Sequence, residues 1–207
     1  MRVLIAGGGI GGLALALSLH ERGIDCTVFE AAAQVGELGV GINLLPPAVS
    51  ELATLDLLPA LDAVAIRTRE LRYLTARGQQ VWSQQCGLWA DHPVPQLSIH
   101  RGRLHDVLWR AAVHRLGAAV VVTKRRLVEV TDACDGVRVD FADGSHARGD
   151  CLVGADGIHS QVRRRLHPAD GGIRWNGIQM WRGATEWPAF EGGSTMAIAG
   201  GMREKLV

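Results

Sequence analysis

Three glycines at the spacing G-x-G-x-x-G constrain this chain more than any other feature. Gly7, Gly9 and Gly12 follow residues 2–6, a short apolar run of the kind that forms a buried parallel strand. Residues 13–22 have helix-forming composition, and Gly23 is placed to stop them. Residues 26–29 are β-prone, and Glu30 stands at their end. Each position has a physical task. Gly7 permits a tight turn, Gly9 lets backbone approach a pyrophosphate, and Gly12 lets the helix lie close on the sheet. Ile10 and Gly11, between the motif glycines, are expected to meet the ligand with them, and the helix N-terminus presents unpaired N–H groups that favour an anion. Glu30 can accept hydrogen bonds from a ribose hydroxyl, and its charge disfavours a 2′-phosphate. A glycine-rich turn in an ordinary βαβ unit would need none of this register. FAD and NAD both satisfy it.

The rest of the composition mainly excludes. There are 22 basic and 21 acidic residues, which gives no electrostatic case for nucleic acid or an anionic membrane. Cys26, Cys86, Cys134 and Cys151 form no C-x-x-C pair and no metal-ligand spacing with histidine. That usage fits a reducing compartment, and the expected location is cytoplasmic. The glycine cluster interrupts the N-terminal apolar run, so no signal peptide is expected. No stretch is apolar for long enough to span a bilayer.

Beyond the first βαβ unit the elements are shorter. Residues 34–43 carry three glycines, and a loop packed against something flat is expected there. Pro46 and Pro47 open a helix expected over 48–58, stopped near Pro59. Residues 69–75 and 80–83 read as two strands around a turn at Arg77-Gly78. Residues 84–97 read as irregular. A helix is expected over 101–116, with Leu104, Leu108, Ala111 and Leu116 on one face and Gly117 as its stop. Residues 118–123 read as a buried strand. Residues 127–131, 137–141 and 145–148 read as an antiparallel meander with Asp-Gly turns.

A second motif follows. Residues 150–154 are another apolar strand, running into Ala155-Asp156-Gly157 and a basic helix over 161–166. If this strand is parallel to the first, Asp156 shares a crevice with Gly9 and can serve a ribose or phosphate-bound water. Asp156 as a simple helix cap is an equal alternative. The Arg163-Arg164-Arg165 run reads as a solvated helix face in a chain of near-neutral charge.

With both motifs in view, the chain resembles the single-component FAD-dependent aromatic hydroxylases built like para-hydroxybenzoate hydroxylase. The later stretch, Val153-Gly154-Ala155-Asp156-Gly157-Ile158-His159-Ser160-Gln161-Val162-Arg163, matches that family's pattern throughout. Within it the chain is most similar to members acting on phenazine carboxylates, through Gly39-Val40-Gly41-Ile42-Asn43, Glu70-Leu71-Arg72-Tyr73, Ser98-Ile99-His100-Arg101-Gly102 and Met180-Trp181-Arg182-Gly183.

The resemblance implies an α/β fold: a Rossmann-like, GR2-type FAD-binding fold with parallel sheet and β-meander, plus part of an antiparallel substrate-domain sheet. It implies FAD-binding parts at 1–70 and 98–170, and substrate-domain parts at 71–97 and 171–207. It implies that the Gly41 and Ile42 backbone flanks the isoalloxazine ring, that Arg101 contacts FAD, and that Leu127 meets the adenosine end through its backbone. Arg163 would lie beside the cofactor. Trp181 and Arg182 would begin a substrate-domain strand, with Arg182 meeting an aromatic carboxylate. The implied activity is hydroxylation of a phenazine- or salicylate-like carboxylate through a flavin hydroperoxide, using molecular oxygen and NADH or NADPH. No protein nucleophile or metal is then needed, and no catalytic residue is assigned. His100, His159 and His167 are expected to bond or cap. Another flavin oxidoreductase on the same fold, or a non-catalytic FAD-binding fragment, are the alternatives. The family's third motif, a Gly-Asp pair, has no match over 164–207, which implies the N-terminal portion of a longer enzyme.

Overall fold

The computed structural model describes residues 1–33, 39–185, 187–201 and 204–207. In chain order come β1 (Arg2–Ala6), α1 (Ile10–His20), β2 (Asp25–Phe29), β3 (Gly41–Leu44), α2 (Pro46–Thr54), α3 (Leu58–Asp62) and β4 (Ala65–Thr68). Then follow β5 (Glu70–Leu74), β6 (Gln80–Gln85), β7 (Gln96–His100), α4 (Arg101–Leu116) and β8 (Val121–Val122). The chain continues with β9 (Leu127–Ala133), β10 (Gly136–Phe141), β11 (His146–Gly149), β12 (Cys151–Gly154), α5 (Gln161–Leu166), β13 (Thr195–Gly200) and β14 (Lys205–Leu206). Two compact units result. One is Met1–Glu37 with His105–Trp181, and the other is Leu38–Leu104 with Arg182–Val207.

The first unit is built on a sheet of order β12-β1-β2-β8, with every pairing parallel. Val3, Leu4, Ile5 and Ala6 are all buried, because both faces of β1 are covered. Alternate side chains point to opposite faces. Ile5 lies under α1, which buries Gly12, Leu13, Ala16 and Leu17. Leu4 and Ala6 belong to the core on the other face, with Phe29, Leu127, Val137, Val139, Phe141 and Val162. That second layer is the meander, of order β11-β10-β9. The Phe29 and Phe141 rings meet at 4.7 Å and join the two layers.

The second unit holds an antiparallel sheet of order β3-β7-β4 and a mixed sheet of order β14-β13-β5-β6. In the mixed sheet β5 pairs antiparallel with β6, but β13 pairs parallel with β5. The β5–β6 and β13–β14 pairs are antiparallel, and the parallel pair of β13 with β5 joins them.

Differences from the expected elements have local causes. Residues 41–43 are strand rather than loop, because β7 supplies a ladder through Gly41↔His100 and Ile42↔Ile99. The remainder of that expected loop, 34–38, lies outside the described residues. The helix expected over 48–58 breaks at Asp56, which takes φ 54°, and Pro59 sits in the first turn of α3 instead of ending α2. Residues 118–120 form a 3₁₀ turn, leaving only Val121–Val122 as strand. On α4 the buried stripe is Leu104, Leu108 and Ala112, a clean i, i+4, i+8 row that omits Ala111. Along the chain the two units divide at Glu37/Leu38 and Leu104/His105. The reason is that β3 and β4 both pair with β7, which draws 41–68 and 96–100 into one unit.

Candidate functional site

The carboxyl ends of β1 and β12 lie side by side, with Ala6 opposite Gly154 and the Ala155 N–H donating to the Ala6 carbonyl at 2.7 Å. This pairing joins two motifs that are far apart in sequence. Between them opens a cleft of about 600 Å³, lined by Gly7, Gly9, Glu30, Leu127, Ala155 and Asp156 among others. Its volume is ordinary for a small-molecule site.

The glycines divide their work by geometry. Gly7 has φ 106°, and a Cβ there would sit 2.3 Å from the Ala155 carbonyl oxygen. A Cβ on Gly12 would sit 1.9 Å from the Gly7 carbonyl oxygen, so only glycine lets α1 approach its own preceding turn. At Gly9 an added Cβ would meet nothing within 4 Å. The first two are therefore needed by the protein itself. The third faces open space on the cleft, where a ligand can come close to the main chain.

Backbone bonding in the loop is nearly exhausted. The Gly7 N–H donates to the Phe29 carbonyl at 2.8 Å, and the Gly9 carbonyl accepts from the Leu13 N–H at 3.0 Å. The Gly8 N–H donates to Glu30 Oε2 at 2.7 Å, and the Ala32 N–H donates to Glu30 Oε1 at 2.7 Å. Helix α1 begins at Gly9 with no side-chain cap. The N–H groups of Gly9, Ile10 and Gly11 thus donate to no acceptor among the described residues. An uncapped helix start beside an open cleft is a site for an anion.

Asp156 lines the cleft and also caps α5. Its Oδ2 accepts from the N–H groups of Gln161 at 2.7 Å and Val162 at 3.3 Å, and its Oδ1 accepts from the Ser160 hydroxyl. Ser160 in turn accepts from the Arg163 N–H at 2.9 Å. The carboxylate is therefore a helix cap that also shares the cleft with Gly9. In the basic run Arg164 and Arg165 are exposed, as on a solvated helix face, and Arg163 is half-buried. Arg163 turns to Asp170 at 3.1 Å and to the Ile158 carbonyl, and it is Arg164 that lines the cleft. Helical rotation of about 100° per residue separates the two side chains.

Four contributors escaped the sequence reading. Arg125 and Arg126 line the cleft from the segment after β8, and Arg125 is paired with Asp143. That segment is docked by main-chain bonds from Lys124 to Ala32 and from Arg125 to Glu30. Consecutive cations at the end of a parallel strand were the available signal. Gln161 also lines the cleft, and His105 donates through Nε2–H to the Gly8 carbonyl at 2.7 Å. His159 lines the cleft and His167 follows the last turn of α5.

The remaining expected residues are not in this cleft. Gly41 and Ile42 lie on β3 in the second unit, and the Arg101 N–H donates to the Val40 carbonyl at 2.9 Å at the start of α4. Trp181 is 88% exposed, and residues 181–185 form no strand; the strand of this region begins at Thr195. Gly183 and Pro188 punctuate the stretch, and β-pairing resumes only beyond them. Among the described residues no cluster of His, Cys, Asp and Glu is arranged to hold a metal ion, and no helix is long and apolar enough to cross a membrane.

Comparison with known proteins extends the geometry. The family described as FAD binding domain matches residues 1–197. Phenazine 1,6-dicarboxylic acid hydroxylase PhzS of Lysobacter antibioticus is 44% identical over 204 residues, 95% of this chain and 50% of its own length. Aurachin C monooxygenase/isomerase of Stigmatella aurantiaca is 36% identical over 189 residues, 90% of this chain and 48% of that protein. Among solved structures, a variant of Klebsiella pneumoniae HpxO complexed with FAD aligns at a TM-score of 0.77 and 27% identity, over 97% of this chain and 51% of that one. The chain spans about half the length of the curated relatives it matches.

Proposed function

The chain belongs to the FAD binding domain family, and on that premise we propose that its cleft takes the ADP half of FAD in an aromatic-ring monooxygenase. The observation that carries the reading is the uncapped start of α1 opening on a cleft where Gly9 leaves room for a phosphate. When bound, the flavin would supply the redox chemistry of aromatic hydroxylation, with NADH or NADPH as reductant and molecular oxygen as oxidant.

The chain's own residues bind and orient. The N–H groups of Gly9, Ile10 and Gly11, with the close helix approach that Gly12 permits, receive the pyrophosphate. Arg125, Arg126 and Arg164 offset its charge. Each Glu30 oxygen accepts one backbone N–H and retains a lone pair for a ribose hydroxyl. Leu127 offers its backbone to the adenine, and Asp156 holds a ribose or phosphate-bound water while fixing α5. In the second unit Gly41 and Ile42 are assigned to the isoalloxazine ring and Arg101 to the cofactor. Trp181 and Arg182 are assigned to the substrate. Relatives named for phenazine dicarboxylate and for 3-hydroxybenzoate favour an aromatic carboxylate as that substrate.

The test has two stages. FAD and ADP are titrated into the purified chain by fluorescence, and failure to bind either overturns the reading. Turnover is then read as NADH or NADPH oxidation that depends on a phenazine or hydroxybenzoate carboxylate, with the hydroxylated product identified by mass. Nicotinamide oxidation without that product would favour another flavin oxidoreductase.

A further inference from the structure

We propose that His105 is a positioning residue for the phosphate-binding turn, holding the Gly8–Gly9 peptide so that the Gly9 N–H faces the bound pyrophosphate. The inference rests on the FAD reading of the cleft. It concerns a side chain that neither glycine motif includes.

The argument begins with Gly8. This residue is buried, and it has no side chain with which to fix its own main chain. Two neighbours do so from opposite sides. Glu30 Oε2 accepts the Gly8 N–H at 2.7 Å, and His105 Nε2 donates to the Gly8 carbonyl at 2.7 Å. A carbonyl only accepts, so His105 carries its proton on Nε2. The described peptide bonds are all trans. In a trans peptide the C=O and the following N–H point in opposite directions. Fixing the Gly8 carbonyl toward α4 therefore turns the Gly9 N–H away from α4. Gly9 itself lines the cleft, with open space beside it.

Without His105 that peptide plane has no anchor on its carbonyl side. Glycines flank the bond on both sides, so rotation of the plane meets little steric resistance. A freely turning plane presents its carbonyl to the cleft part of the time, and a carbonyl repels phosphate. The imidazole is itself held. It sits on α4 one turn before Trp109, whose ring lies 5.9 Å away, and it is half-buried. The geometry therefore amounts to a chain of support from α4 through His105 and the Gly8 carbonyl to the Gly9 N–H.

The substitutions that separate this role from general packing follow from atom positions. The side-chain amide nitrogen of glutamine superimposes on Nε2, whereas that of asparagine falls near Nδ1. His105→Leu and His105→Asn should each weaken FAD and ADP binding about tenfold, the loss expected for one well-placed hydrogen bond. His105→Gln should restore binding to within about threefold of the parent. Adenosine, which lacks the pyrophosphate, should bind all four proteins alike. Affinities are read by fluorescence for FAD and by NMR titration for ADP and adenosine, with thermal unfolding of each protein alongside. The inference is overturned alone if the parent binds FAD while His105→Leu binds it equally, if glutamine fails to recover what leucine loses, or if adenosine weakens as much as ADP. A parent that binds neither FAD nor ADP overturns the FAD reading and this inference together.

Discussion

Gly12→Ala and Gly9→Ala should separate folding from cofactor binding, although the two residues stand three positions apart. At Gly12 the new methyl group would lie 1.9 Å from the Gly7 carbonyl oxygen, with Ile5 behind it at 3.4 Å. Neither is the free end of a flexible side chain, so α1 must move off β1 by more than 1 Å to restore ordinary contact, a shift of order ~1–1.5 Å. Overpacking of that kind costs about 3 kcal/mol, at the upper end of the usual range. Alanine returns about 1 kcal/mol through its better helix propensity. The net loss is about 2 kcal/mol, or a fall of roughly 4–8 °C in Tm for a chain of this size. At Gly9 the methyl group meets nothing within 4 Å and the backbone has φ −75°, so Tm should move by less than about 2 °C. On the proposed FAD site the same methyl group would stand in the path of the pyrophosphate, and FAD affinity should fall at least about tenfold. Differential scanning fluorimetry and FAD titration of both variants read the two effects. A Gly12→Ala protein as stable as the parent, or a Gly9→Ala protein that binds FAD as tightly, would refute the reasoning.

Two further outcomes are expected. Asp156→Ala removes three hydrogen bonds at the start of α5 and should cost about 2 kcal/mol in urea unfolding, together with a several-fold loss in FAD affinity; lost stability with unchanged affinity would assign the carboxylate to capping alone. The meander should also carry acid sensitivity. The Arg138 guanidinium holds Asp140, and the Ser145 hydroxyl and N–H hold Asp143, below the ordinary carboxyl value of 3.8. Groups so lowered stabilise the fold in full above their unfolded value and lose that contribution as pH falls through the folded one. The Asp140→Asn, Asp143→Asn double variant should therefore show a shallower loss of urea midpoint between about pH 4 and pH 2; an unchanged slope would count against it.

How much of this was legible in the sequence depended on distance along the chain. The turn at Gly7 to Gly12 was readable because its strand, glycines and helix are contiguous, and because the contact that requires Gly12 lies within the turn itself. Asp156 was readable as an acid at a strand end and as a cap, but its place in the cleft beside Gly9 follows from β12 pairing parallel with β1. Arg163 and Arg164 look alike in sequence; their different directions depend on where α5 begins, which Ser160 and Asp156 set together. The partnership of β13 with β5 left no local trace, since short strands carry no record of their neighbours' direction. His105 was invisible for a similar reason. Its partner is a main-chain carbonyl 97 residues away, and no residue type marks such an acceptor.

The central place of β1 in its sheet also has a consequence in time. Its neighbour β2 follows within a few seconds of synthesis, but its other neighbour, β12, begins only at Cys151, some 145 residues beyond Ala6. At roughly 5–20 residues per second, about 7–30 s pass before that strand exists. Throughout that interval one edge of an apolar strand stands unpaired, an open template for any other extended chain nearby. The meander that will cover Leu4 and Ala6 is also late, since Val137, Val139 and Phe141 precede β12 by little. The first strand made is thus among the last to be protected. Recovery of folded protein should depend on how fast ribosomes travel between β2 and β12, and on what shields the nascent edge meanwhile.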